Sequence, residues 1–190
     1  DAGLSALMEN FAKDHPGTYG VSMIELDGKK RHAEYNGDKQ FVTASTYKLL
    51  VAYSLLKRID SGARSWDSDQ ACFNKMISLS DNACAESFLN VIGVSTLTSE
   101  ANAVSLKNST FMKGGGPYTT ANDQALLLGM IATGQNFSSA NQQRLLEAMK
   151  KNVFRKGIPA GVSGTVADKV GFMNGLLHDS AIVYGSHGTY

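Results

Sequence analysis

Apolar residues at Leu4, Leu7, Met8 and Phe11 recur at helical spacing, and His15-Pro16-Gly17 breaks the pattern. From Tyr19 to Leu26 the pattern changes to alternation, with Tyr19, Val21 and Met23 on one face, which predicts a strand. Asp27-Gly28 signals a hairpin turn, its partner strand runs from about Arg31 to Tyr35, and Asn36-Gly37 marks the next turn. Tyr47 to Ile59 is apolar around most of its circumference and predicts a buried helix. Cys72 to Leu79 and Ala83 to Ile92 are two shorter helical stretches. Thr120 to Thr133 is another, opening on Thr120-Ala121-Asn122-Asp123 as a capping region, and Asn141 to Lys151 is a polar-faced helix. Strand character returns at Thr165 to Phe172 and at Ser180 to Tyr184.

The order is helix, hairpin, a long helical block, then strands again. Strands at the two ends of a chain pair into one sheet, and the block between them packs beside it as an insertion. The fold class expected is α/β in the α+β sense. An antiparallel sheet is flanked by helices, residues 1–42 and 164–190 form the sheet lobe, and residues 43–163 form an all-helical insert. A site belongs in the cleft between the lobes. Apolar residues make up 43% of the 190 and charged residues 18%, an ordinary globular balance. The net charge of +1 carries no signature of nucleic-acid or anionic-membrane partners. No apolar run approaches the ~18 residues of a membrane span.

Metal and phosphate chemistry find no support. Cys72 and Cys84 form no C-x-x-C, and His15, His32, His178 and His187 are scattered with no H-E-x-x-H, so neither a metal site nor a cofactor is expected. Gly114-Gly115-Gly116 lacks a following G-K-[ST] and reads as a flexible loop rather than a phosphate cradle. Cys72 and Cys84 can bridge if the helices that carry them fold back on each other. Along one continuous helix they would lie roughly 18 Å apart and could not.

Ser-x-x-Lys occurs at Ser45-Thr46-Tyr47-Lys48 and again at Ser54-Leu55-Leu56-Lys57. Three residues apart on a helix, a serine and a lysine share a face, and a desolvated lysine can accept the serine proton. Ser54 falls mid-helix in apolar surroundings, where a hydroxyl bonds back to a carbonyl of the previous turn. Ser45 falls where the helical pattern begins, so free N–H groups and the positive dipole end are available to a developing oxyanion. The alternative for Ser45 is a plain N-cap. Ser80-Asp81-Asn82 lies between two helical stretches, and chance yields it only about 0.07 times in such a composition. Its plain reading is an N-cap for the helix near Ala83. Lys169-Val170-Gly171 lies on the late strand, where a glycine permits close approach of another backbone.

In this chain order the elements resemble the penicillin-recognising serine hydrolases, class A β-lactamases most closely. The resemblance implies that Ser45 is the acylated nucleophile, Lys48 its base, Ser80 the proton relay to the leaving nitrogen and Asn82 the holder of the substrate amide. It implies that Lys169 and Gly171 line the substrate's carboxylate side, and that the N–H groups of Ser45 and Phe172 form the oxyanion hole. It also implies an exported protein acting on β-lactams or peptidoglycan D-Ala-D-Ala stem peptides. The alternative is a non-catalytic β-lactam sensor or cell-surface binding module of the same fold.

The chain departs from the pattern in three places. Val170 stands where the family carries a hydroxyl, with His178 the candidate cation for the substrate carboxylate and a surface hairpin histidine its plain alternative. The loop from Asn108 to Tyr118 lacks the glutamate that activates the deacylating water, and Asp123 is the only carboxylate between Glu100 and Glu147. Finally, the last strand and C-terminal helix of the family do not follow Tyr190, so a complementing segment or self-association is expected.

Overall fold

The computed structural model describes all residues from Asp1 to Tyr190. Helix α1 (Ala2–Asp14) opens the chain, capped by the Asp1 carboxylate, which accepts from the Leu4 N–H. Strands β1 (Val21–Ile24) and β2 (His32–Tyr35) form the hairpin, with Met23 opposite Ala33. The strand is shorter than the alternation of Tyr19 to Leu26 suggests. Asn36 Nδ2 bonds the Tyr19 carbonyl, so the loop claims the start of the expected strand.

β3 (Phe41–Val42) leads into a 3₁₀ turn at Ala44–Tyr47, and α2 (Lys48–Asp60) follows directly. Every residue from Lys48 to Leu56 is buried, as the apolar circumference predicts. Around α2 pack α3 (Trp66–Ser78), α4 (Asn82–Ile92), α5 (Val94–Ala103), α6 (Ala121–Thr133) and α7 (Ser139–Lys150). Phe73, Met76, Leu97, Ile131 and Leu145 fill the common core. Local chemistry fixes the helix starts: Asp81, Thr120 and Ser138 each accept a backbone N–H of the first turn. Gly134, at φ 75°, closes α6 in the left-handed conformation. β4 (Tyr118–Thr119) pairs with β3, and a single turn, α8 (Ile158–Gly161), precedes the late strands. Helix α5 and the β3–β4 pair have too few periodic positions to be read from the sequence.

Cys72 and Cys84 form a disulfide with a Cα–Cα distance of 5.2 Å, joining α3 to α4. The two helices do fold back on each other, and Ser80 and Asp81 occupy the turn between them.

β5 (Thr165–Met173), β6 (Leu176–Gly185) and β7 (Gly188–Thr189) form a three-stranded antiparallel sheet, with Lys169 opposite Ser180 and Gly171 opposite His178. The expectation of one sheet from both chain ends is corrected here. β1 and β6 do not pair, and a cavity of about 500 Å³ lined by Val21–Ile24 and Ala181–Val183 lies between them. The two sheets meet only at one end of this slot. There the Leu26 N–H donates to the Thr189 carbonyl at 2.8 Å, and Tyr190 exchanges backbone bonds with Val183 at 2.8 and 3.0 Å. Residues Thr189 and Tyr190 thus enter the slot between both edges.

Candidate active site

The 3₁₀ turn that carries Ser45 is a shaped segment rather than a simple helix start. Ala44 has φ 45°, a left-handed backbone for a residue with a Cβ, at a cost on the order of 1–3 kcal/mol. The Thr43 carbonyl holds the turn by accepting from Thr46 N at 3.1 Å and Thr46 Oγ1 at 2.7 Å. β5 crosses immediately beside it. A Cβ added to Gly171 would lie 2.8 Å from the Thr43 oxygen and 2.9 Å from the Ser45 nitrogen. The close backbone approach expected at this glycine is therefore present, and its partner is the Ser45 turn. Only glycine permits it, because the nearest atoms are backbone and cannot give way.

Ser80 sits across the site, also left-handed at φ 59°. Lys48, with no exposed surface, donates from Nζ to the Ser80 carbonyl at 2.6 Å, to Asn82 Oδ1 at 2.7 Å and to Ser80 Oγ at 3.3 Å. Lys169, equally buried, donates from Nζ to Ser80 Oγ at 2.9 Å and to the Val170 carbonyl at 2.7 Å. The Ser80 hydroxyl oxygen thus lies between two ammonium groups and can pass a proton between them. Burial pushes Lys48 down to about 8, against the carboxylates of Asp81 and Glu86. Burial, and after it the charge of Lys48, pushes Lys169 down to about 7, against Asp168 and Asp179. Both lysines can therefore hold or release a proton near neutrality.

Ser45, Lys48, Ser80, Asn82, Lys169 and Gly171 are brought to one place. Three other residues take different parts. His178 Nε2–H donates to the Val42 carbonyl at 2.8 Å and its ring packs edge-on against Phe41, so this nitrogen ties β6 to the strand leading into the turn. Phe172 is 54% exposed and stacks edge-on against Phe154, forming an apolar rim. A cavity of about 940 Å³ touches Thr46, Val170, Phe172 and His178 and runs along β6 and residues 153–158, but none of Ser45, Lys48, Ser80, Asn82 or Lys169 lines it. Ser54 does not bond back to the previous turn, which corrects the sequence reading. Its hydroxyl donates to the Glu100 carboxylate and accepts from Arg58 at 2.7 Å, because α5 brings a stronger acceptor than a helix carbonyl.

Asp123 is buried at the start of α6, where it accepts from Asn108 N at 2.9 Å and Ser109 Oγ at 2.8 Å. It ties down the Asn108–Tyr118 loop, and burial pushes its carboxyl above the ordinary range. Asp168 and Asp179, behind Lys169, carry no motif of their own. The acidic neighbour of Lys169 in Asp168-Lys169-Val170-Gly171 is the only signal the sequence offers for them.

The fold agrees with the comparisons. A family model described as "Beta-lactamase enzyme family" matches residues 3–70 and 68–190. Among solved structures, the β-lactamase from Sphaerobacter thermophilus superposes with TM-score 0.88 at 18% identity, over 100% of this chain and 86% of that one. A PBP-A mutant captured as an acyl-enzyme complex with penicillin G gives TM-score 0.92 at 22% identity, over 99% and 84%. An ancestral class A β-lactamase gives TM-score 0.88 at 23% identity, over 97% and 86%. No match was found among curated proteins. With the family model covering nearly the whole sequence, and the fold shared over the same span, the chain belongs to the β-lactamase enzyme family.

Proposed function

We propose that the protein is a serine acyl-transfer hydrolase of β-lactams or of peptidoglycan D-Ala-D-Ala ends. The observation that carries this reading is the Ser80 hydroxyl suspended between Lys48 and Lys169, beside the turn that holds Ser45. Neutral Lys48 accepts the Ser45 hydroxyl proton as Oγ attacks the substrate carbonyl. The Ser45 and Phe172 N–H groups take the oxyanion. As the carbonyl–nitrogen bond breaks, Ser80 hands its proton to the leaving nitrogen and is reprotonated from a lysine. Asn82 holds the acyl amide, and Lys169 supplies positive charge for the substrate carboxylate. The Cys72–Cys84 bond supports a location outside the cytoplasm.

The test is the pH dependence of acylation. Lys48 works as a base only when neutral, so acylation by a fluorescent penicillin falls about tenfold per pH unit below about 7 and recovers toward pH 8. Lys48→Arg loses about 10²-fold or more at every pH, since a guanidinium does not give up its proton. Near-normal acylation by Lys48→Arg would move the base elsewhere.

The slot between β1 and β6 supports a complementing C-terminal strand as partner, since Thr189 and Tyr190 enter it bonded on both sides. A longer chain that continues this strand should slow amide exchange at Val21–Ile24. Unchanged exchange there would exclude it.

A further inference from the structure

Behind Lys169 lies a pair of acidic side chains that the proposed chemistry does not use. Asp168 precedes Lys169 on β5 and has no exposed surface. Asp179 on β6 stands opposite Val170, one step along the same face. Asp168 is well supplied with donors: Arg155 Nη1 at 2.6 Å on Oδ1, and Asn152 Nδ2 at 2.8 Å on Oδ2. Asp179 receives one, the Ile158 N–H at 2.8 Å on Oδ2. Its other oxygen, Oδ1, is buried and receives no donor. On that shared face the charge of Asp168 bears directly on Asp179.

Two buried carboxylates facing one guanidinium cannot both keep a full charge in a low-dielectric site. A proton on Asp179, donated toward Asp168, satisfies the orphaned oxygen and removes the repulsion. Asp168, with Arg155 and Asn152, is the better acceptor and keeps the negative charge. The same bonds pin Asn152 and Arg155 to β5, the strand that carries Lys169, and Ile158 to β6 beside it. Phe154, within that pinned segment, stacks on Phe172 at 5.4 Å.

We propose that Asp179 and Asp168 share a single proton and act as a positioning pair that sets the charge of Lys169 and holds the 152–158 segment against β5. The proposal deepens the reading of Lys169 given above and rests on it for its catalytic meaning. Burial, and after it the charge of Asp168, pushes Asp179 up to about 7. Around neutrality the pair therefore carries one negative charge or two. The charged groups facing it are Arg155 and Lys169, and Lys48 faces Lys169 from the other side. When Asp179 ionises, the added negative charge favours the ammonium form of Lys169.

Carbon-13 NMR of protein labelled at the aspartate carboxyl and lysine Cε positions tests this without any substrate. The Asp179 and Lys169 signals are identified by their loss in Asp179→Asn and Lys169→Met. The expected result is one aspartate titrating near pH 7, absent in Asp179→Asn, and a Lys169 titration about one pH unit lower in that variant. Asn at 179 can still accept from Ile158 and donate to Asp168, so the variant keeps the pinned geometry. A carboxyl whose folded value is raised stabilises the fold at low pH and loses that contribution as pH climbs to about 7. Asp179→Asn should therefore gain in melting temperature relative to wild type as pH rises from about 4 to about 7, and hold that gain at pH 8. Aspartates that all titrate in the ordinary range, or a Lys169 titration unmoved by Asp179→Asn, would overturn the pair. Absence of any penicillin adduct together with no consumption of the drug would instead overturn the acyl-transfer reading and leave the NMR result standing.

Discussion

Ser45→Ala is expected to abolish covalent labelling by a fluorescent penicillin, a loss of about 10³-fold or more, while Ser54→Ala leaves labelling intact. The two serines head the same four-residue pattern, and the fold separates them. Ser45 lies on a strained 3₁₀ turn against Gly171, beside the backbone N–H groups of the turn. Ser54 is fully buried in α2, its hydroxyl held by Glu100 and Arg58. Removing the Ser54 hydroxyl leaves the Arg58–Glu100 ion pair in place and touches no group of the site. On the proposed mechanism, removing the Ser45 hydroxyl deletes the atom that forms the ester. Labelling that survives Ser45→Ala would contradict the assignment.

The second large effect is a burst. Hydrolysis of an acyl-serine needs a water placed and deprotonated at the ester, and a positioned general base is worth typically 10²–10⁴-fold. The Asn108–Tyr118 loop contains no glutamate. Asp123 is buried and spends Oδ2 on Asn108 N and Ser109 Oγ, holding the loop. Glu86 is exposed on α4 and makes no hydrogen bond within the protein. On the proposed mechanism Lys48 serves both half-reactions, and the acyl group is expected to leave about 10²-fold or more slowly than it forms. Stopped-flow hydrolysis of a chromogenic cephalosporin should show a burst of about one equivalent followed by slow turnover. Fast steady turnover without a burst, unaffected by Glu86→Gln or Asp123→Asn, would show that water is activated elsewhere.

What the sequence made legible follows from how local each signal is. The buried helix α2, the capped start of α6 and the close approach at Gly171 rest on periodicity, capping chemistry and a missing Cβ, all properties of short segments. The turn between α3 and α4 at Ser80 was legible for the same reason. The gap between β1 and β6 was not, because pairing between distant strands depends on which edges meet, and alternation alone does not say. The bond of His178 to Val42 carries no local signal, because it depends on β6 reaching β3 across the fold. Ser54 was misassigned because its acceptor, Glu100, comes from a helix with weak periodicity. The Asp168–Asp179 pair was invisible, since its members are ordinary until β5 and β6 set them on one face.

Intact-mass measurement after exposure to penicillin tests the central claim most directly. The account predicts a single added β-lactam on the wild-type chain, persisting over many minutes, and none on Ser45→Ala. A wild-type chain that never gains the mass, whether or not the drug is consumed, would contradict it.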